Sequence, residues 1–513
     1  VPPLRPLSAG SGEGRPRALL WAAGLALLTA VVARTALLGD RPFWRDEAWV
    51  ASLVRDFPLR GVVDEVRTVP IGFIALEKAV AGALPFLRPE VAYRLVPLLC
   101  GLLAVAAVPA LGLALGAARP VAVAALWICA GLPGLVYYSR ELKQYGFDLL
   151  LPLALALVAH GSVEAREGGP PWRRVAAVAL VAAAPWLSFG ALFPLAVVLA
   201  WALWRTRREA RARATWLAAA LVLALSLGGS YLVALHVQAA NPRLLETWRR
   251  HVRHGDQALL VDAAGALVTV NRTAAAYLFP DGWPLAVGLA LLGIAAWPRR
   301  TRGLLVGLWL LPLALAAAAY LVDLYLVHVG RLLLFAAPPL VLLVAAGLVR
   351  AGEALRSAWW GVAAAALFGL GWAGASIVHR VRAPETVSAR YFLFDVHHDV
   401  EPLIARLERE RVPGRRVLAS PFAGPVFGFY QRGRLAGATV CSVATCRDEP
   451  RVLAQWLGGL EGPGWMVVTD DEARWDRRTT LRSLGYRARL EDQTRGMKLW
   501  RVERVRRRPP GGP

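Results

Sequence analysis

The chain has 513 residues, 57% hydrophobic and only 19% charged, with a mean hydropathy of +0.46. Those values exclude an ordinary soluble globule and point to a polytopic membrane protein. The net charge of +23 does not read as nucleic-acid binding. No nucleic-acid motif accompanies it, and much of the arginine lies in short loops between apolar segments, where topology signals and anionic headgroups account for it.

Residues 1–17 are polar and rich in Gly and Pro, and read as a disordered cytoplasmic N-terminus. The apolar segment 18–38 is long enough to cross a bilayer and carries no small-residue cleavage site of a removed signal peptide. An outer loop follows at 39–92, opening on Arg41-Pro-Phe-Trp-Arg-Asp-Glu-Ala-Trp-Val50. Trp49, Val50, Leu53, Val54 and Phe57 are spaced to line one face of a helix lying in the interfacial plane. Asp46 and Glu47 then sit near that helix's N-terminus, within reach of a lipid headgroup. Asp46 reads equally well as an N-cap. A second semi-apolar helix, Pro70 to Phe86, bears Glu77 and Lys78 and reads as interfacial, re-entrant or a short span.

Further spans are expected near 94–116, 120–138, 145–160, 174–189, 190–204, 215–236, 283–298, 303–321, 331–349 and 357–378, about eleven in all. Arg119, Arg166, Arg173, Arg174, the cluster from Arg205 to Arg213, Arg299, Arg300, Arg302, Arg350 and Arg356 all fall on one side. By the positive-inside rule that side is cytoplasmic, which puts the first loop and the C-terminal region outside. From 379 to 513 the chain alternates charged helical runs with β-type runs at 416–420, 465–469 and 498–502. That pattern suggests a small extracytoplasmic α/β domain. Cys100 and Cys129 read as packing residues in apolar segments. Cys441 and Cys446 have a spacing that permits a disulfide without requiring one.

Polar groups gather at the outer span ends. Tyr137-Tyr-Ser-Arg-Glu-Leu-Lys-Gln-Tyr145 lies where the third span exits and the fourth begins, and Arg140, Glu141 and Lys143 are costly there unless paired or hydrated. A salt-bridged interfacial anchor is the alternative, less favoured reading of Arg140 and Glu141. Asp323, His328 and Arg331 occupy the outer region before the tenth span.

The order of Asp-Glu in the first outer loop, Tyr-Ser-Arg-Glu with a following Tyr, and Gly330-Arg331-Leu-Leu-Leu-Phe-Ala-Ala-Pro338 resembles the GT-C superfamily. These are multi-span glycosyltransferases that use polyprenyl-phosphate sugars. The resemblance is nearest to bacterial relatives of the protein O-mannosyltransferases and of the lipid A aminoarabinose transferase, and covers most of residues 18–350. Thr68-Val-Pro-Ile-Gly-Phe73 keeps only one proline where many relatives have Pro-Pro-aromatic. The resemblance implies a GT-C-like fold and a sugar transfer, with inversion, from a polyprenyl-phosphate donor to a protein, glycan or glycolipid acceptor at the outer face of the plasma membrane. It implies Asp46 as general base, a role worth about 10²–10⁴ in rate, with Glu47 bonding backbone groups or positioning the acceptor. Arg140 and Arg331 are candidates for the donor phosphate, because guanidinium binds phosphate oxygens bidentately. Glu141 is a second acid for an arginine or the sugar. Tyr145 would pack against the sugar or the lipid headgroup, and His328 joins the binding set.

His251 with His254, and His397-His398-Asp399, lack a complete ligand set by spacing. No metal ligands are therefore assigned, and dependence on a divalent metal ion stays open. Asn271-Arg-Thr273 is formally a glycosylation sequon in a large outer loop, 237–282. The rival reading is a transporter or flippase of lipid-linked sugars. Such proteins place ionisable residues near the bilayer midplane and often show repeated halves, and neither feature is evident here.

Overall fold

The computed structural model describes residues 14–65, 69–165, 170–236, 263–280, 282–321, 325, 330–382, 398–420, 423–440, 449–469, 481–494 and 496–505. The polypeptide divides into two units: Val1–Leu38 with Pro58–Arg382, and Gly39–Phe57 with Ala383–Pro513.

The first is a multi-pass membrane unit. Its long Leu, Ala and Val runs form helices, which satisfy their own backbone groups where no water is available. Among the described residues seven helices are long and apolar enough to cross a membrane: Arg17–Thr35, Pro89–Ala114, Tyr145–Glu164, Ala210–Ala234, Arg299–Leu321, Gly330–Ala354 and Ala358–Val378. Gly265–Leu278 and Trp283–Ala296, bent by 105°, add an eighth if they form one broken span. Each of the eleven expected segments contains a helix, but four are short. Arg119–Gly131 has 13 residues, Trp172–Leu187 has 16, and Leu192–Arg205 and Trp283–Ala296 have 14 each, against the roughly 20 of a straight crossing. Pro133 shortens the first of these. It forces Leu132 out of the helical region, so the chain stops at Gly131 and restarts as Pro133–Tyr138.

One expectation is corrected. The stretch 237–282 is not loop throughout, because Ala263–Leu278 is a helix. It buries Ala266, Val270, Ala274 and Leu278 at helical spacing. Asn271, Arg272 and Thr273 interrupt that apolar pattern in the sequence and hide it. Asn271 therefore lies within a helix, where its side chain donates to the Leu267 carbonyl at 2.9 Å. The helix expected from Pro70 to Phe86 runs from Ile71 to Ala83 and, at 13 residues, is too short to cross.

Glycine lets neighbouring helices approach to backbone contact. A Cβ on Gly293 would run into the Leu343 carbonyl, and one on Gly347 into that of Leu289. Gly131 meets the Gly369 carbonyl in the same way. Small residues at such crossings are how membrane helices gain packing without a hydrophobic driving force. The outward residues, Trp21, Leu225 and Leu367 among them, are large and exposed, as a lipid-facing surface requires.

The second unit contains a mixed five-stranded sheet in the order β2-β1-β3-β5-β4. Its strands are β1 (Val417–Ala419), β2 (Thr439–Val440), β3 (Gly464–Thr469), β4 (Tyr486–Thr494) and β5 (Met497–Arg504). β1 runs parallel to β2 and β3, whereas β5 is antiparallel to β3 and β4. Leu418, Met466, Val468 and Val502 on one face pack with Leu453, Trp456 and Leu457 from the helix Glu449–Gly458. The three β-type runs expected from sequence are β1, β3 and β5. The edge strand β4 escaped because its sequence, Tyr-Arg-Ala-Arg-Leu-Glu-Asp-Gln-Thr, carries the charges that keep an edge from pairing with other chains.

Candidate functional site

In the membrane unit, the helix Pro133–Tyr138 is followed by a tight turn that delivers the chain into the span Tyr145–Glu164. That turn carries the expected polar group, and it is buried: Glu141 is 0% exposed, with Tyr138 and Tyr145 at 3% and 4%. The Tyr138 and Tyr145 rings meet edge to face at 4.8 Å. Tyr138 shares a short hydroxyl–hydroxyl hydrogen bond with Tyr277. Glu141 and Arg331 act electrostatically on both of these phenols. Three residues expected from sequence, Glu141, Tyr145 and Arg331, are thus gathered around Tyr138, which opens the Tyr-Ser-Arg-Glu motif but was given no role, and Tyr277, which was not expected.

The geometry explains the Gly-Arg pair at 330 and 331. The Tyr277 ring occupies the space that a Cβ on Gly330 would need. From the other side, the Tyr325 hydroxyl donates to the Leu332 carbonyl at 2.7 Å. Arg331 is therefore held on a short 3₁₀ turn, Gly330–Ala336, pinned by two tyrosines. Tyr277 was missed because its helix was read as loop.

Arg140 has a different environment from Arg331. Its guanidinium donates to the Ala36 carbonyl at 2.9 Å, closing the end of the first membrane helix. Asp148 is a further buried acid that sequence reading passed over. Ser188 donates to its carboxylate, and a Cβ on Gly190 would stand 2.9 Å from that carboxyl group. It lies one turn beyond Tyr145, and both act electrostatically on Tyr325. The signal was available: an Asp three residues after a candidate Tyr shares its helix face.

In the second unit, the helix Arg45–Asp56 carries Asp46 and Glu47 in its first turn. Trp44, not Asp46, occupies the N-cap position. Glu47 is fully buried, accepting from the Arg41 guanidinium at 3.0 Å and from the Trp44 N–H at 3.4 Å. Asp46 is the accessible acid of the pair. Its side chain is 25% exposed and accepts from Arg45 Nε at 3.2 Å. The apolar face expected for this helix is present, with Val50, Leu53 and Val54 buried.

Its N-terminus is held by residues far along the chain. The Arg45 N–H donates to His398 Nδ1 at 3.1 Å, and the Phe43 N–H donates to the Tyr430 hydroxyl at 2.9 Å. Arg55 donates to the Phe429 carbonyl at 2.8 Å and lies over the Phe429 ring at 4.1 Å. His398, weighed from sequence as part of a metal motif, here accepts a backbone N–H.

Thr68, His251, His254, Asp323, His328, His397, Cys441 and Cys446 lie outside the described residues. Among the described residues no group of three or more His, Cys, Asp and Glu is placed to hold a metal ion.

The chain matches no protein-family model and no curated protein. It is similar in fold to solved structures. ArnT from Cupriavidus metallidurans in the apo state aligns with a TM-score of 0.57 at 13% identity, over 95% of this chain and 98% of that one. ArnT bound to undecaprenyl phosphate gives 0.53 at 14%, over 96% and 98%. The oligosaccharyltransferase AglB from Archaeoglobus fulgidus, with an inhibitory peptide and a dolichol-phosphate, gives 0.51 at 12%, over 92% and 71%. At 12–14% identity the likeness is one of fold: this chain shares the fold of ArnT and of the archaeal oligosaccharyltransferase, the architecture that the sequence motifs suggested.

Proposed function

We propose that this protein is an inverting membrane glycosyltransferase. It moves one sugar from a polyprenyl-phosphate donor to a protein, glycan or glycolipid acceptor on the outer face of the plasma membrane. The N-terminus is cytoplasmic and the C-terminal unit extracytoplasmic, as the arginine distribution in the loops suggests.

One observation carries this reading: the hydrogen-bonded Tyr138–Tyr277 pair inside the membrane unit has the Tyr145 ring packed against it and Glu141 and Arg331 within electrostatic range. The likeness in fold to a protein bound to undecaprenyl phosphate supports it. The donor phosphate is already a good leaving group, so the chemistry asks mainly for a cation at the departing phosphate and a base for the acceptor's proton. Arg331 is the proposed cation, carried on a turn that Tyr277 and Tyr325 hold on either side of it in sequence. Glu141 orients Arg331 or a sugar hydroxyl, and Tyr145 offers a ring face to the sugar, with His328 also in the binding set. Asp46 is the proposed general base, consistent with its partial exposure. Glu47 keeps the first turn of its helix in place. Arg140, bonded to the Ala36 carbonyl, anchors the turn that carries Glu141.

The test uses purified protein and a panel of polyprenyl-phosphate sugars, with a crude envelope fraction as acceptor, and follows release of free polyprenyl phosphate. One donor should turn over, and Asp46→Asn should lower kcat by about 10²–10⁴ in a folded protein. Unchanged turnover in Asp46→Asn would remove Asp46 as base. Absence of turnover with every donor, alongside donor movement across a bilayer, would replace the transferase by a transporter.

A further inference from the structure

We infer that the C-terminal unit is part of the catalytic apparatus, with His398 and Tyr430 as positioning residues for the helix that bears Asp46. This rests on Asp46 being the base.

An α-helix begins with four N–H groups that lack intrahelical acceptors. The usual remedy is an N-cap side chain with an acceptor oxygen. This helix has Trp44 at that position, whose indole nitrogen only donates. An acceptor for the first turn comes from elsewhere in the second unit: His398 Nδ1 takes the Arg45 N–H at 3.1 Å. The Tyr430 hydroxyl takes the N–H of Phe43, just before the N-cap, at 2.9 Å and holds the entry to the helix. Asp46 is the next residue after Arg45, so the His398 bond fixes the backbone immediately before the proposed base.

Both acceptors are themselves held by neighbouring elements. His398 is 3% exposed, and the carbonyl of Asp399 beside it accepts from the hydroxyl of Thr494 at the end of β4. Tyr430 lies on the helix Gly424–Gln431, where the Phe43 ring meets Phe429 edge to face at 5.3 Å. The sheet, the Gly424–Gln431 helix and the first turn of the Asp46 helix form one continuous hydrogen-bonded and packed path. A base held this way keeps its geometry during proton transfer, where a displacement of about 1 Å costs on the order of 10² in rate.

The experiment uses the full-length protein in detergent or nanodiscs and compares His398→Ala, His398→Asn and Tyr430→Phe. The asparagine Oδ1 stands at the same point along the side chain as Nδ1 of histidine, so it can accept the same N–H. His398→Ala should lower kcat by about 10–100-fold with the donor KM changed less than about twofold. His398→Asn should recover most of that loss. Tyr430→Phe, which removes the hydroxyl but keeps the ring, should lower kcat by a smaller factor. Hydrogen exchange read alongside should show the amides of 45–48 losing protection in His398→Ala and regaining it in His398→Asn.

Unchanged kcat in a folded His398→Ala would overturn the inference, as would equal loss in the Ala and Asn variants. A change confined to donor KM would overturn it too. If His398→Ala does not fold, the Asn and Phe variants decide the matter by the same two readouts. An inactive wild type would sink the glycosyltransferase reading, whereas the exchange pattern would still report whether His398 holds the helix.

Discussion

In the membrane unit, Arg34 is fully buried and gives its hydrogen bonds to the carbonyls of Ala30, Cys129 and Ala130 and to the Ser139 hydroxyl. Arg140 gives its bond to the Ala36 carbonyl. In the second unit, Arg406 meets Glu410 at 2.7 Å, Asp492 at 3.1 Å and Glu491 at 3.5 Å, and Arg434 meets Glu408. The contrast follows from the medium. A helix ending near hydrocarbon leaves carbonyls that no water can reach. A guanidinium with five donors closes several at once, and the negative end of the helix dipole favours its charge. Beside water, carboxylates are available as well, and Arg406 and Arg434 pair with them, Arg406 giving one further bond to the Glu491 carbonyl. An arginine next to an apolar segment is therefore first a candidate for closing a helix end, and only then for binding a ligand.

The sharpest way to break this comparison is Arg34→Ala. It leaves the carbonyls at the end of Arg119–Gly131 without a donor and should cost roughly 3–5 kcal/mol. The readout is loss of monodisperse protein in detergent and a collapse of Tm. A folded, stable Arg34→Ala would mean that those carbonyls are hydrated after all.

Next in size is the pair Arg331→Gln and Arg140→Gln. The first should lower kcat by about 10²–10³ with little change in Tm. The second should lower stability by about 1 kcal/mol with donor KM within about twofold. Reversed outcomes would exchange the two roles.

A smaller effect is expected at Glu77, in the helix Ile71–Ala83. It is fully buried, and neither carboxyl oxygen has a hydrogen-bond partner among the described residues. Burial pushes its pKa well above the usual carboxylate value. The folded state then holds a proton that the unfolded chain has released, so this contribution is intact below about pH 4.5 and is lost as pH rises toward the folded value. Glu77→Gln should be neutral at acid pH and should raise Tm by about 2–4 °C at pH 8. A Tm gain that does not depend on pH would contradict it.

Smallest of all is Arg406→Ala. Its partners are numerous but solvent-screened, and thermal unfolding should change by no more than about 1 kcal/mol.

Most of the fold was legible, because long apolar runs and alternating tail strands are local patterns. What escaped was set by partners distant in sequence or by polar interruptions. Tyr277 lay in a helix disguised by Asn271-Arg-Thr273. Arg34 sat inside a segment read as uniformly apolar, since nothing in the local sequence marks a carbonyl as an arginine's partner. Within the candidate site, Glu141, Tyr145 and Arg331 were found from their placement at span ends, and their clustering with the Tyr138–Tyr277 pair needed the structure. Glu47 was recognised as an acid beside Asp46, but its pairing with Arg41 in an accessible–buried division of labour was not readable from adjacency.

The bond from Arg45 to His398 joins residues 353 positions apart. At synthesis rates of 5–20 residues per second, the ribosome needs roughly 20–70 s to travel that distance. Throughout that interval the segment bearing Asp46 lacks the acceptor for its first turn, and Val50, Leu53 and Val54 wait for the surface they will be buried in. A chain that stops early can insert most of its membrane helices and still never assemble this turn. With Asp46 as the proposed base, catalytic competence becomes a late event in the protein's biogenesis, and a nearly complete membrane unit does not by itself make an active enzyme.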